Sequence, residues 1–135
     1  MKTLQPPGWP RPKGYANGIE ADGFIFTGGM IGWDETGAFP HADLAGQAGQ
    51  ALRNIVAVLA EAGAKPENVV RLTWYITDRE EYLAQAKDLG EAYSAVMGRH
   101  YPAMAVVVVA GLLEPAAKVE IEATALRATA LRASA

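Results

Sequence analysis

YPAMAVVVVAGLLEPAAKVEIEATA, residues Tyr101 to Ala125, predicts two strands that decide the fold of the whole chain. Its first part, Met104 to Val109, is a valine-rich apolar run, which is typical of a strand buried on both faces. After a short connection, Val119 to Ala125 alternates between apolar and polar residues. The alternation predicts that Glu120 and Glu122 share one face of the second strand. Carboxylates are seldom found beside such an apolar strand, so these two glutamates are candidate functional residues.

Composition restricts the classes of protein that the chain can belong to. Its 135 residues, 50% hydrophobic and 20% charged, are enough for one globular domain. A net charge of −3 gives no general attraction to nucleic acid or to anionic membranes, and the absence of cysteine excludes thiol nucleophiles and disulfides. The longest apolar run, residues 103–113, is too short to span a bilayer. We therefore expect a cytoplasmic protein with neither nucleic acid nor membrane as a partner.

The N-terminal third of the sequence predicts an arm followed by a hairpin. Four prolines within residues 1–13 favour an extended arm, in which Trp9 either packs on the domain or contacts a partner. Asp22-Gly23 is a strong hairpin-turn signal, and it separates predicted strands at residues 15–21 and 24–28.

The middle of the chain predicts two helices and a strand between them. Asp43 is a candidate N-cap for a helix that ends near Gly63. Residues 70–76 alternate as a half-buried strand, with Val70 on the apolar side. Asp78 begins a capping-box pattern, which predicts one continuous second helix that ends near Gly98.

These elements predict an α+β domain, a mostly antiparallel sheet with two helices on one face. The whole chain is expected to form this single domain, with residues 1–13 as the arm and residues 126–135 as an alanine- and arginine-rich tail. Helices on one face leave the other face open, yet the valine run is apolar throughout. A second copy of the chain is the simplest cover, so the sequence predicts an oligomer.

Pro102-Ala103, the valine-rich strand and the segment KVEIEA at residues 118–123 together resemble the C-terminal signature of the RidA/YjgF family. Members of that family are imine and enamine deaminases that were once labelled L-PSP endoribonucleases. The resemblance covers residues 14–125. It implies a chorismate-mutase-like homotrimer with three clefts between neighbouring subunits, which bind a small-molecule substrate. We expect no cofactor.

The resemblance also assigns candidate site residues. It implies that Glu120 positions the attacking water and that Tyr15 and Gly29 line the cleft. In the family an arginine binds the carboxylate of the substrate, and here Met104 replaces it. Three further cleft positions are also less polar than in the family: Met30, Gly90 and Val106. From the residues alone, Glu120 and Glu122 fit either a desolvated catalytic pair or the wet face of an edge strand.

Other candidates have weaker signals. His41 and His100 lack the spacing of a zinc site, so no metal is expected, and His100 is either catalytic or a satisfied loop residue. Arg99 is either a substitute for the missing arginine or an ordinary surface side chain. Arg127 and Arg132 in the tail are expected to be solvated.

The sequence therefore leaves two functions open. The first is a RidA-like deaminase of a larger, less acidic imine or enamine than 2-aminoacrylate, since Met104 cannot hold a carboxylate. The second is a non-catalytic trimer that binds a small ligand or a partner in the same clefts. The nuclease label of the family has no support from a basic stripe.

Overall fold

The computed structural model describes residues 1–127, which form one six-stranded sheet with helices packed on one face. The strands are β1 (Lys2–Leu4), β2 (Gly18–Ala21), β3 (Phe24–Thr27), β4 (Val69–Ile76), β5 (Ala103–Val108) and β6 (Val119–Leu126). The α-helices are α1 (Leu44–Ala60), α2 (Arg79–Ala84) and α3 (Ala86–Met97), and a 3-10 turn spans Pro66–Asn68. The strand order is β1-β2-β3-β6-β4-β5, and only the β4–β5 pair is parallel. The α+β class with a mostly antiparallel sheet is thus confirmed.

Strand β6 lies at the centre of the sheet, between β3 and β4. Its residues alternate between buried and half-buried as the sequence predicts, and Val119, Ile121 and Ala125 are fully buried. Helix α1 packs on β6 and β3, and α3 packs on α1. The apolar side of β6 therefore faces the helices, and its two glutamates face the opposite side of the sheet.

The predicted hairpin is confirmed, with Asp22 and Gly23 both at positive φ, 50° and 83°. The arm differs from the prediction, because its first residues form strand β1, which pairs with β2. No proline interrupts residues 2–4, and Leu4 is completely buried, so this segment gains both hydrogen bonds and apolar contact. Trp9 is half-buried and packs against the core, as one of its two predicted roles requires.

Strand β4 carries an irregularity that sequence alternation misses. Its register with β6 shifts between Val69 and Arg71. As a result Val69 is buried and Val70 is 39% exposed, so the prediction that Val70 faces the core is wrong. An extra residue in one strand moves its neighbours to the other face, and pattern alone does not reveal where that happens.

Helix α1 begins after Asp43, whose carboxylate accepts a hydrogen bond from the Gly46 amide at 3.1 Å. The predicted single second helix is wrong, because the chain breaks at Gln85 into α2 and α3. The side chain of Gln85 accepts a hydrogen bond from the amide of Ala45 at 2.9 Å, which ties the break to the start of α1. Within residues 1–127 no helix is both long and apolar enough to cross a bilayer.

Strand β5 is a sheet edge in the single chain, because it pairs only with β4. Met104 and Val107 are each 42% exposed, and Val108 is 55% exposed. The prediction that this run is buried on both faces is therefore wrong for one chain. The sequence pattern predicts burial because the run is apolar, but within residues 1–127 only β4 pairs with this strand.

The end of the described chain also differs from expectation. Arg127 pairs with Glu20, with 3.3 Å between Nε and Oε2, so it is not simply solvated. Its amide donates to the carbonyl of Gly23 at 2.9 Å, which continues the β3–β6 pairing by one residue. Residues 128–135, which include Arg132 and most of the predicted tail, lie outside the described residues.

Candidate functional site

Glu120 and Glu122 lie on the face of the sheet opposite the helices, both half-buried. Their neighbour on the adjacent strand β4 is Tyr75, which lies directly opposite Glu120. The hydroxyl of Tyr75 donates a 2.6 Å hydrogen bond to Oε1 of Glu122. This hydrogen bond raises the pKa of Tyr75, so the phenol stays protonated as the donor. The carboxylates are held in a central strand, which rules out the wet edge-strand alternative.

Glu120 is a carboxyl group whose pKa is raised above its ordinary value. Burial raises the pKa of Glu120, and the nearby charge of Glu122 raises it further. A carboxyl group with a raised pKa accepts a proton more readily at neutral pH than an exposed one. The environment of Glu120 therefore suits a group that exchanges protons with water.

Gly29 packs directly against Glu120. A Cβ atom added at position 29 would lie 2.7 Å from Cδ of Glu120 and 2.9 Å from its Cγ, which is closer than real Cβ contacts come. The next residue, Met30, exchanges two backbone hydrogen bonds with Ile121, at 2.8 and 2.9 Å. The absence of a side chain at position 29 therefore leaves the space that the carboxyl group of Glu120 occupies.

A cavity of about 310 Å³, here called the arm cavity, lies between the N-terminal arm and the loop after β3. It brings together three predicted cleft residues: Tyr15, Gly29 and Met30. Met30 contributes little surface, since it is only 4% exposed. The other lining residues were not foreseen as a site: Trp9, Pro10, Arg11, Pro12, Asn17, Trp33, Asp34, Glu35, Gly37 and Asn54.

A second, larger concavity of about 820 Å³, here called the α3 groove, lies between α3 and β5. Gly90 and Met104 line it, and nothing lies within 4 Å of a Cβ atom built on Gly90. Lys87 and Glu91 contribute one charge of each sign to its lining. The lining also includes four aromatic residues: Trp74, Tyr82, Tyr93 and Tyr101. Val106 is half-buried one pleat beyond Met104 on the same face of β5.

The candidate residues therefore separate into two groups. Tyr15, Gly29 and Glu120 belong to the region of the arm cavity, whereas Gly90 and Met104 belong to the α3 groove. Met104 and Val106 are on the helix side of the sheet, because their register partners in β4 are the buried Leu72 and Trp74, while Glu120 is on the opposite side. One chain does not bring the two groups together.

The remaining candidates have structural roles or lie elsewhere. A ring nitrogen of His100 lies 2.6 Å from the carbonyl oxygen of Val69, so this histidine is a satisfied loop residue. Arg99 is exposed and is not part of the lining of the α3 groove. Among residues 1–127 no group of three or more acidic or histidine side chains is placed to hold a metal ion.

Comparison with known proteins gives a consistent picture. A family model described as endoribonuclease L-PSP matches residues 10–127. The chain is 35% identical over 114 residues to the 2-iminobutanoate/2-iminopropanoate deaminase of Escherichia coli, covering 84% of this chain and 87% of that protein. It is 37% identical over 120 residues to a RutC family protein of Pyrococcus abyssi, covering 87% and 91%. The crystal structure of E. coli TdcF with bound serine matches with a TM-score of 0.81 and 31% identity, covering 95% and 100%.

Substitution of Gly29 tests the packing against Glu120. Gly29→Ala is expected to lower the free energy of unfolding by about 1 kcal/mol, because the new methyl group forces the half-buried Glu120 side chain to turn away. In a Glu120→Ala background the same change should cost less than about half of this. Urea denaturation at one protein concentration measures both losses.

Gly90→Ala is the matched control, since a methyl group there meets open space in the middle of α3 and should stabilise the helix by roughly 0.5–1 kcal/mol. An equal loss for Gly29→Ala with and without the Glu120 side chain would show that the two residues are not in contact.

Proposed function

The chain belongs to the RidA/YjgF family, and we propose that it is a hydrolytic deaminase of an imine or enamine intermediate, with Glu120 directing the attacking water. The observation that carries the proposal is the half-buried Glu120 carboxyl, whose pKa is raised by burial and by Glu122 and which lies against Gly29. The names of two relatives support the reaction class, since they are called an imine deaminase and a reactive intermediate deaminase.

In the proposed reaction Glu120 acts as a general base. Its carboxylate takes a proton from water while the water oxygen bonds to the carbon of the C=N group, whose nitrogen gains a proton. The resulting carbinolamine then loses ammonia as the C–N bond breaks, which leaves a carbonyl compound. An enamine enters the same sequence after protonation at carbon. The balance is imine plus water to carbonyl compound plus ammonia, with no cofactor.

The substrate is proposed to be larger and less acidic than 2-aminoacrylate. Met104 stands where the family's arginine binds the substrate carboxylate, and the nearby cation in the α3 groove, Lys87, is exposed and accompanied by Glu91. Loss of a desolvated charge-assisted contact costs roughly 2–5 kcal/mol, or about one and a half to three and a half decades in affinity. The aromatic walls of the groove instead favour an apolar or aromatic side chain.

A homotrimer is proposed because the candidate site is incomplete in one chain. The exposed apolar edge at β5 needs a cover, and the two groups of candidate residues lie on different sides of the sheet. If a second copy packs against β5, the α3 groove of one subunit can adjoin the arm cavity region of its neighbour. Each cleft would then contain Met104 from one subunit and Glu120 from the other.

The second candidate function is a non-catalytic trimer that binds a small apolar ligand in the same clefts. The replacement of the arginine by Met104 and the aromatic lining of the α3 groove favour it. The two functions differ in what they require of Glu120. Only the deaminase needs its carboxylate, whereas binding of an apolar ligand should survive its neutralisation.

Ammonium release from imines separates these functions. Imines generated in place by an amino-acid oxidase from small, aromatic and basic amino acids should be hydrolysed faster than in buffer. Glu120→Gln should reduce the acceleration by at least about 100-fold, because the amide cannot accept the proton.

The matched control is Glu122→Gln, on the same face of β6. This variant should retain turnover. The acid limb of its pH–rate profile should move to lower pH. The charge of Glu122 raises the pKa of Glu120, so its removal lets the base ionise at a lower pH. An acceleration that is unchanged by Glu120→Gln would exclude Glu120 as the base, and no acceleration with any imine would favour the binding function.

The Met104→Arg variant tests the proposed preference. An arginine at this position should increase kcat/KM for small 2-imino acids by about 10- to 100-fold, because it offers a bidentate contact to the carboxylate. Met104→Leu, which keeps the site apolar, serves as the control. A correctly folded Met104→Arg variant with no gain on small imino acids would show that the missing arginine does not set the preference.

The assembly is tested by sedimentation. The chain should sediment as a trimer at micromolar concentration, and Val107→Glu, on the open face of β5, should dissociate it. Leu83→Glu changes an apolar residue that is 55% exposed on α2 and outside both β5 and the lining of the α3 groove, and it should leave the trimer intact. A stable wild-type monomer at this concentration would refute the assembly.

A further inference from the structure

The arm cavity has an aromatic lining that the proposed reaction does not use. Trp9 and Trp33 are half-buried, and Tyr15 is 60% exposed at its mouth. A cavity of about 310 Å³ is at the lower end of the sizes that small molecules occupy. Three aromatic rings in so small a space offer π faces to a ligand, and the face of an aromatic ring attracts positive charge.

The aromatic wall is held in place before any ligand arrives. Asn54, which is 5% exposed, donates from its amide nitrogen to the carbonyl oxygens of Ile31 and Trp33, at 3.1 and 2.8 Å. The indole of Trp33 also packs against Phe39, with 6.3 Å between ring centroids. The buried Asn17 is fixed by a 2.9 Å hydrogen bond from its amide nitrogen to Gln5. A ligand therefore meets a preorganised pocket.

The charges that line the arm cavity sum to one negative, from Asp34, Glu35 and Arg11. Asp34 accepts hydrogen bonds from the hydroxyl and the amide of Thr36, at 2.6 and 2.9 Å, and these contacts lower its pKa and keep it ionised. In the part of the chain that the structure describes, neither carboxylate has a basic side chain within 4.0 Å. Although Oδ1 of Asp34 also accepts from the Ala38 amide, at 3.1 Å, the negative charge of the two carboxylates is not neutralised by a cation of the described chain.

We propose that the arm cavity binds an organic cation, an ammonium group on a small apolar body, between the rings of Trp9, Tyr15 and Trp33 and beside the carboxylates of Asp34 and Glu35. Aromatic rings with nearby carboxylates are the surroundings that stabilise such a cation, whereas an anion would meet the negative net charge. Arg11 opposes the cation, so the ammonium group lies closer to the two carboxylates than to the guanidinium.

The cavity also suggests a substrate class, and this step rests on the proposed function. Gly29 borders the arm cavity and contacts Glu120, so a ligand in the cavity lies close to the proposed base. Met104 in place of an arginine removes a positive charge that would repel such a ligand from the opposite wall of the proposed cleft. Imines that carry a second, cationic amine, such as those derived from basic amino acids or diamines, are the substrates that fit both observations.

Calorimetric titration of the full chain with choline tests the site, with 3,3-dimethylbutan-1-ol as a neutral probe of the same shape. Choline should bind at least about tenfold more tightly than the alcohol at low ionic strength. Glu35→Gln, at an exposed position, should weaken choline binding about threefold, and Arg11→Gln should strengthen it. Glu67→Gln, a surface carboxylate outside the cavity, should change nothing.

The aromatic contribution is tested at Trp33. Trp33→Leu should weaken choline binding at least about fivefold, whereas Trp33→Phe should keep most of it, because a ring face remains. Circular dichroism checks that both variants are folded. Equal affinity for choline and the alcohol, no binding of choline, or unchanged binding in both Glu35→Gln and Trp33→Leu would each overturn the proposal.

Failure of this proposal is distinguishable from failure of the deaminase proposal. The two proposals are tested by different measurements: choline affinity reports on the cation site, whereas the acceleration of ammonium release reports on the base. Choline binding without any acceleration of ammonium release over buffer would support the cation site and reject the enzyme. Accelerated release without choline binding would do the reverse.

Discussion

The central position of β6, with alternate residues on opposite faces of the sheet, is the constraint on which the rest of the structure depends. One set of residues, which includes Val119 and Ile121, completes the core beneath α1. The other set holds Glu120 and Glu122 in a half-buried row beside Tyr75. A shift of register by one residue would bury both carboxylates against the helices and expose the core residues. The packing of the core and the chemistry of the site therefore depend on the same register.

Most of the fold follows from local signals in the sequence. Asp22-Gly23 and Asp43 each act through their nearest neighbours, and each occupies the predicted turn or cap. The failures involve distant partners. The bulge at Val69 depends on pairing with β6, and the break at Gln85 coincides with a bond to Ala45, 40 residues away. The exposure of β5 follows from its position at the edge of the sheet, whereas periodicity reports only that a residue is apolar.

The candidate site was predicted only in part, for a related reason. The alternation of β6 predicts the shared face of Glu120 and Glu122, and resemblance to a family selects Glu120. Sequence cannot show that Gly29 contacts Glu120, because 91 residues separate them and glycine has no side chain to suggest a role. The arm cavity was missed because Trp9 and Trp33 lie in irregular segments, where no period marks the direction of a side chain.

The parallel pairing of β4 and β5 has a consequence for how the molecule folds. Antiparallel neighbours such as β2 and β3 can pair through a two-residue turn, but β5 reaches β4 only after α2 and α3 have been placed. Closing so long a loop costs more entropy, and contacts between distant residues form more slowly than local ones. We expect β5 to join the sheet late. Until then, the apolar valine strand remains unpaired. Unpaired apolar strands make partly folded chains prone to aggregate.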